Sequence, residues 1–255
     1  MSAGYSDHTP PPAPPPAGSP PAERFIDVFT QPRRAMDGVA QRPLWSLPFL
    51  VIFLLMMLYA AANVHLIVVD EYEGLRALMP AEQSETFEQM VEEVSDPTLS
   101  MRFRQGIYSA LGVVFFWLLV PATALYGFCR LSEGVGSFHG TLGVIYWAGL
   151  IAFGLKTLLG WLVLVISGDV ALSYLSLQSL LSERNPMNPL FFVAGLLGDP
   201  FFWWMLWVVA LGLARVHRIA EQRALVVVLA THGLFSVVLI GITALARWGM
   251  MRLTG

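Results

Sequence analysis

The sequence predicts an all-α, polytopic integral membrane protein: a compact bundle of five transmembrane helices behind a disordered, Pro-rich N-terminal tail. Two observations carry this expectation. Of 255 residues, 56% are hydrophobic and 13% charged, with mean hydropathy +0.62. A soluble domain carries about 25% charged residues, so there is too little charge here to cover a water-facing globule. Apolar runs of around 20 residues also recur along the chain, long enough to cross a hydrocarbon layer as helices. These features exclude a soluble enzyme and a disulfide-built secreted domain, for which the single Cys129 is in any case insufficient. A net charge of −3 gives no electrostatic case for a nucleic-acid partner.

The first 22 residues hold eight prolines and no lysine or arginine. They read as an extended tail over 1–24 rather than a signal peptide. In 25–45, Phe25, Ile26, Val28 and Phe29 precede Pro32-Arg33-Arg34, and Met36 and Val39 follow. Apolar residues interleaved with Arg33, Arg34 and Arg42 predict an amphipathic segment at headgroup level. The membrane domain is expected over 46–248, with spans near 47–69, 107–129, 142–167, 200–214 and 224–246. Pro121 should kink the second span. The fourth is short and is preceded by an apolar piece at 189–197, read as a re-entrant or interfacial half-helix. The loop 70–106 carries nine acids. Within it Phe87, Met90, Val91 and Val94 recur at helical spacing, predicting an acidic helical cap.

Charge orients the bundle. The segments 1–46, 130–141 and 215–223 carry eight basic residues against six acids, while the opposite set carries six against twelve. The positive-inside rule therefore predicts a cytoplasmic N-terminus and, with five spans, a C-terminus outside.

Lys156 is the main polar intrusion. It lies near the middle of the third run, where a lysine costs roughly 2.5–3.5 kcal/mol on insertion scales. Either it faces a polar cavity, or the helix is shifted and Lys156 lies nearer an edge. The other four runs hold no carboxylate to pair with it, so hydroxyls, amides and carbonyls freed by Pro121 are the expected neighbours. Asn63, His65 and His232 are the other candidate polar-interior residues. No metal site, cofactor or catalytic group is expected. The five histidines show no i, i+4 pair and no HExxH. The acids and amides around Asp70, Glu71, Glu73, Asp169, Asn185, Asn188 and Asp199 have no ligand spacing, and nucleophile motifs such as GxSxG are missing. Small-residue pairs are more telling: Thr123-x-x-x-Gly127, Ala210-x-x-x-Ala214, and Gly149, Gly154 and Gly160 permit close helix packing in lipid. Trp45, Trp203, Trp204, Trp207 and Trp248 fall where interface-belt residues belong.

Several segments resemble the Yip family of small five-span membrane proteins. They are QPRRAMDGVAQRPLWSLPFLV (Gln31 to Val51), the acidic stretch Asp70 to Arg104, GSFHGTLGVIYWAGL (Gly136 to Leu150), and NPLFFVAGLLGDPFFWWMLWVVALGLARVHRIAEQRALVVVL (Asn188 to Leu229). Asp199-Pro200-Phe201 stands where relatives often have Asp-Leu-Phe, and Lys156 departs from the family pattern. The resemblance, to a bacterial-type member, implies the cell inner membrane and no catalytic residues. Its eukaryotic relatives bind lipidated Rab-type GTPases, and some bacterial ones accompany exporters. The expected partners are the lipid bilayer and another membrane protein or a second copy, with no nucleic acid. Two functions are expected to compete: a non-enzymatic scaffold or adaptor, and a small-solute or ion transporter or channel subunit with a polar cavity near Lys156.

Overall fold

A computed structural model describes residues 20–76, 88–89, 92, 96–168, 175–181 and 189–254. Two short helices, α1 (Pro21–Thr30) and α2 (Pro32–Gln41), each begin with proline in the first turn, where the missing N–H costs no helix hydrogen bond. Then come α3 (Ser46–Arg76), α4 (Leu99–Leu131) and α5 (Phe138–Ser167). The short α6 (Pro189–Leu197) is followed by α7 (Pro200–His217) and α8 (Glu221–Thr254). Among the described residues five helices are long and apolar enough to cross a membrane: Ser46–Leu66 of α3, α4, α5, α7 and Glu221–Leu245 of α8. The fold is all-α, with five apolar helices as the sequence predicts.

Boundaries shift for physical reasons. Residues 1–19 of the predicted tail lie outside the described residues, but Pro21–Arg24 are already helical. Helix α3 continues to Arg76 and α4 starts at Leu99, so the 70–106 connection is shorter than expected. The two helices pack closely along their length, because Gly106 lets the backbones meet: a Cβ there would lie 2.7 Å from the Met57 carbonyl oxygen. Phe87, Met90, Val91 and Val94, the stripe of the expected cap, lie outside the described residues.

Around Pro121, where a kink is expected, α4 contains a π-helical stretch, Gly112–Leu119, directly ahead of the proline. A proline ring clashes with the carbonyl four residues back, and widening the preceding turn relieves that clash. The Tyr146 hydroxyl donates to the Val114 carbonyl inside this stretch at 3.4 Å. A second π-helical stretch, Leu150–Leu155, interrupts α5 just before Lys156.

The core lies among α2, α5 and α7, with α4 closing it. The α1–α2 hairpin sets its apolar face into the bundle, with Val28, Ala35, Met36 and Val39 all at 0% exposure. Room for it comes from small residues on the spans. A Cβ at Gly212 would sit 2.6 Å from Val144 Cγ1 and 2.7 Å from Met36 Sδ. Phe25 packs edge-on against Trp147, and Phe29 against Trp204. Ala210 and Ala214 are buried inside the bundle, whereas Thr123 and Gly127 face outward.

Candidate functional site

Asp199-Pro200 starts α7 as the chemistry of the two residues dictates. Proline fixes the first helical φ, and the preceding carboxylate accepts the orphan N–H groups of the first turn. Asp199 Oδ1 accepts from the Phe201 and Phe202 amides at 2.9 and 3.1 Å. Just upstream, α6 ends at Leu197, so α6 and α7 form one broken helix hinged at Gly198-Asp199. The carbonyls exposed by the break have partners. Trp203 Nε1 donates to Leu197 O at 2.8 Å, and the Leu177 amide to Gly198 O at 3.1 Å. Gln178 Nε2 holds the 3₁₀ turn Leu177–Leu180 onto α6 by donating to Phe191 O at 3.0 Å. Irregular backbone at membrane depth requires this kind of satisfaction.

Lys156 reaches this break. Its ammonium donates to Asp199 Oδ2 and forms an ion pair with it. The expectation that Lys156 has no carboxylate partner is thereby overturned. Asp199 lies outside the uninterrupted apolar runs, and only the helix break brings it against α5. The pair is largely enclosed, the side chains being 23% and 7% exposed. Lys156 is residue 19 of the 30 in α5, so it sits beyond the helix midpoint, toward the end of the bundle where α7 begins.

The pair borders a cavity of about 200 Å³, also lined by Trp117, Phe153, Gln178 and Phe202. Trp117 comes from the π-helical stretch of α4 and Phe153 from that of α5. Widened turns of this kind are frequent where helices shape functional sites. Trp117 and Phe202 also wall a smaller cavity of about 40 Å³, which Pro121, Thr231, His232 and Phe235 line. The structure therefore places Lys156, Pro121 and His232 around two adjoining cavities. The His232 ring lies 5.1 Å from Phe202 and 5.9 Å from Trp203. Asn63 and His65 line neither cavity. Asn63 Nδ2 donates to Tyr59 O at 2.8 Å, and its non-helical backbone bends α3 locally.

The arginines at the opposite end bind acids of the chain itself. Arg33 grips Glu221 with both guanidinium nitrogens at 2.7 and 2.9 Å. Arg34 pairs with Glu23 at 2.7 Å and Asp27 at 3.4 Å. Arg215 joins Asp37 and Glu221, so the network ties α2 to α7 and α8. Arg42 contributes its carbonyl, which accepts from Arg24 at 3.0 Å.

Arg24, at the end of the expected tail 1–24, and His217, within the expected connecting segment 215–223, are both core groups at 1% exposure. Arg24 also donates to Gly38 O at 2.9 Å and stacks 5.1 Å over the Trp147 ring. Burial, and then the charge of Arg42, lower its pKa. His217 Nε2 lies 2.8 Å from Thr141 Oγ1. The 134–136 turn wraps over His217, the Val135 amide donating to the His217 carbonyl at 3.1 Å. The signals were an arginine beside aromatic and apolar residues, and Gly134-Val135-Gly136, a turn that leaves space for a ring. Trp45 anchors rather than merely borders the bundle, donating through Nε1 to His139 Nδ1 at 3.2 Å.

Among the described residues no group of three or more His, Cys, Asp or Glu side chains is placed to hold a metal ion. Five spans, a broken fourth helix and an ion pair at the break define a polytopic α-helical membrane protein. The chain belongs to the Yip1 domain family, whose model matches residues 26–242. No curated protein and no solved structure matches the chain significantly.

Proposed function

We propose that the protein is a scaffold or adaptor that assembles with another membrane protein, as part of an export or trafficking system in the cell inner membrane. Its N-terminus is cytoplasmic and its C-terminus outside, by the distribution of basic residues. The observation that carries this reading is the outward face of α4. Only 22% of its most apolar window is buried, against 56% in α7. Thr123 and Gly127 lie on that face, and a Cβ added at Gly127 would meet no other part of the protein within 4 Å. The Thr123 hydroxyl is turned back onto Leu119 O at 2.9 Å, leaving a smooth small-residue surface of the kind that lets a second helix approach closely.

The test places a photo-crosslinker at Thr123, and as a control at Val165 on α5, in the native membrane. A single stoichiometric membrane protein captured from Thr123, not from Val165, and lost in Gly127→Leu supports the reading. No capture, together with solute flux by the lone chain in vesicles, overturns it in favour of transport. The broken α6–α7 helix favours that second reading, since discontinuous helices expose their ends to solutes in transporters. Against it, the Lys156 charge is already compensated by Asp199, and Trp117 and Phe202 separate the cavity from the smaller, apolar one.

A further inference from the structure

The two halves of the Lys156–Asp199 pair are unequally satisfied. Asp199 uses one carboxylate oxygen for two backbone amides and the other for Lys156. An ammonium has three donors, and among the described residues Lys156 directs hydrogen bonds to Asp199 alone. The group with donors left over is also the more exposed of the two, and it borders the cavity.

Charge and position narrow the choice of acceptor. Lysine and aspartate cancel, leaving the partial positive charge of the α7 N-terminus, about half a unit, which suits a monoanion better than a dianion. The 18 residues of α7 extend about 27 Å, close to the ~30 Å hydrocarbon thickness of a bilayer. With the His217 end at one boundary of the hydrocarbon, the Asp199 end falls close to the other, within reach of the phosphates for a lysine side chain that extends toward the headgroups. Gln178 and Gly195 form part of the remaining wall, and Trp117, Phe153 and Phe202 add aromatic surfaces suited to a glycerol backbone and the roots of acyl chains.

We propose that this cavity binds the phosphodiester of one membrane phospholipid, with Lys156 donating to its non-bridging oxygens. The site is independent of whether the chain also assembles with a partner.

The full chain would be reconstituted in nanodiscs of phosphatidylethanolamine and phosphatidylglycerol, released gently, and weighed by native mass spectrometry. One retained phospholipid per chain is expected. Retention should fall roughly tenfold or more in K156M/D199N, as loss of a charge-assisted hydrogen bond requires. It should persist in D199N, where Asn still caps α7 and the lysine is freed. Wild-type protein needs no variant to expose the idea: in nanodiscs of the phosphate-free lipid monogalactosyldiacylglycerol no lipid should be retained. Equal retention of the glycolipid, or a double variant that folds and keeps its phospholipid, overturns the proposal. Inorganic phosphate is the competing source. If it displaces the lipid or binds alone with the same dependence on Lys156, the site is an oxyanion site for a free solute and the lipid assignment fails.

Discussion

Arg24→Ala should loosen the N-terminal hairpin from the bundle while leaving the five spans in place. Arg24 makes two hydrogen bonds to carbonyls, at 2.9 and 3.0 Å, and a cation–π contact at 5.1 Å from the Trp147 ring centroid. Two charge-assisted hydrogen bonds contribute about 3 kcal/mol net, and a desolvated cation–π contact about 2. Taking the charge out of water opposes this, since Arg24 is buried, and offsets roughly 2 kcal/mol of it. The remaining ~3 kcal/mol corresponds to about a hundredfold more frequent opening of the hairpin. Hydrogen exchange of the Val28 and Met36 amides in nanodiscs reads that opening directly. Arg24→Lys should recover little, because an ammonium cannot span both carbonyls while lying flat on the indole. Arg33→Ala is the comparison: its partner Glu221 keeps Arg215, and Arg33 is 59% exposed, so exchange should change only a few-fold. If Arg24→Ala accelerates exchange by less than about fivefold, or no more than Arg33→Ala does, the buried arginine does not hold the hairpin.

Three other outcomes follow from the packing. Lys156→Met should destabilise the bundle by roughly 3 kcal/mol by leaving the buried Asp199 carboxylate without its cation, and K156M/D199N should recover most of the loss; thermal unfolding in nanodiscs checks both, and a neutral single variant would show the pair to be solvated. Gly212→Ala should cost about 1–3 kcal/mol, since the new methyl meets Val144 and Met36 at 2.6 and 2.7 Å; folded yield reads this, and Met36→Ala should relieve it in part. Labels on the two termini should be reached from opposite faces of the membrane, and access to both from one face would contradict five crossings.

The spans were legible because their signal is local and large. Twenty apolar residues in a row declare a crossing whatever they later touch, and Asp199-Pro200 declares a helix start in the same way. The Lys156 site was half legible. A lysine deep in an apolar run is conspicuous, but its partner lies 43 residues away, outside any span, and the break at Gly198 that turns it inward depends on Leu177 and Trp203 closing the exposed carbonyls. Arg24 was misplaced for a related reason. Beside eight prolines an arginine reads as solvent-exposed, and nothing local shows that Trp147, Gly38 and Arg42 assemble around it. Crossing number and helix start are thus set by the transfer free energy and backbone chemistry of contiguous residues, which the sequence by itself determines. Which polar groups leave water, and what they bind there, was decided only by tertiary structure, because a buried charge is tolerated only where distant elements converge to supply its partners.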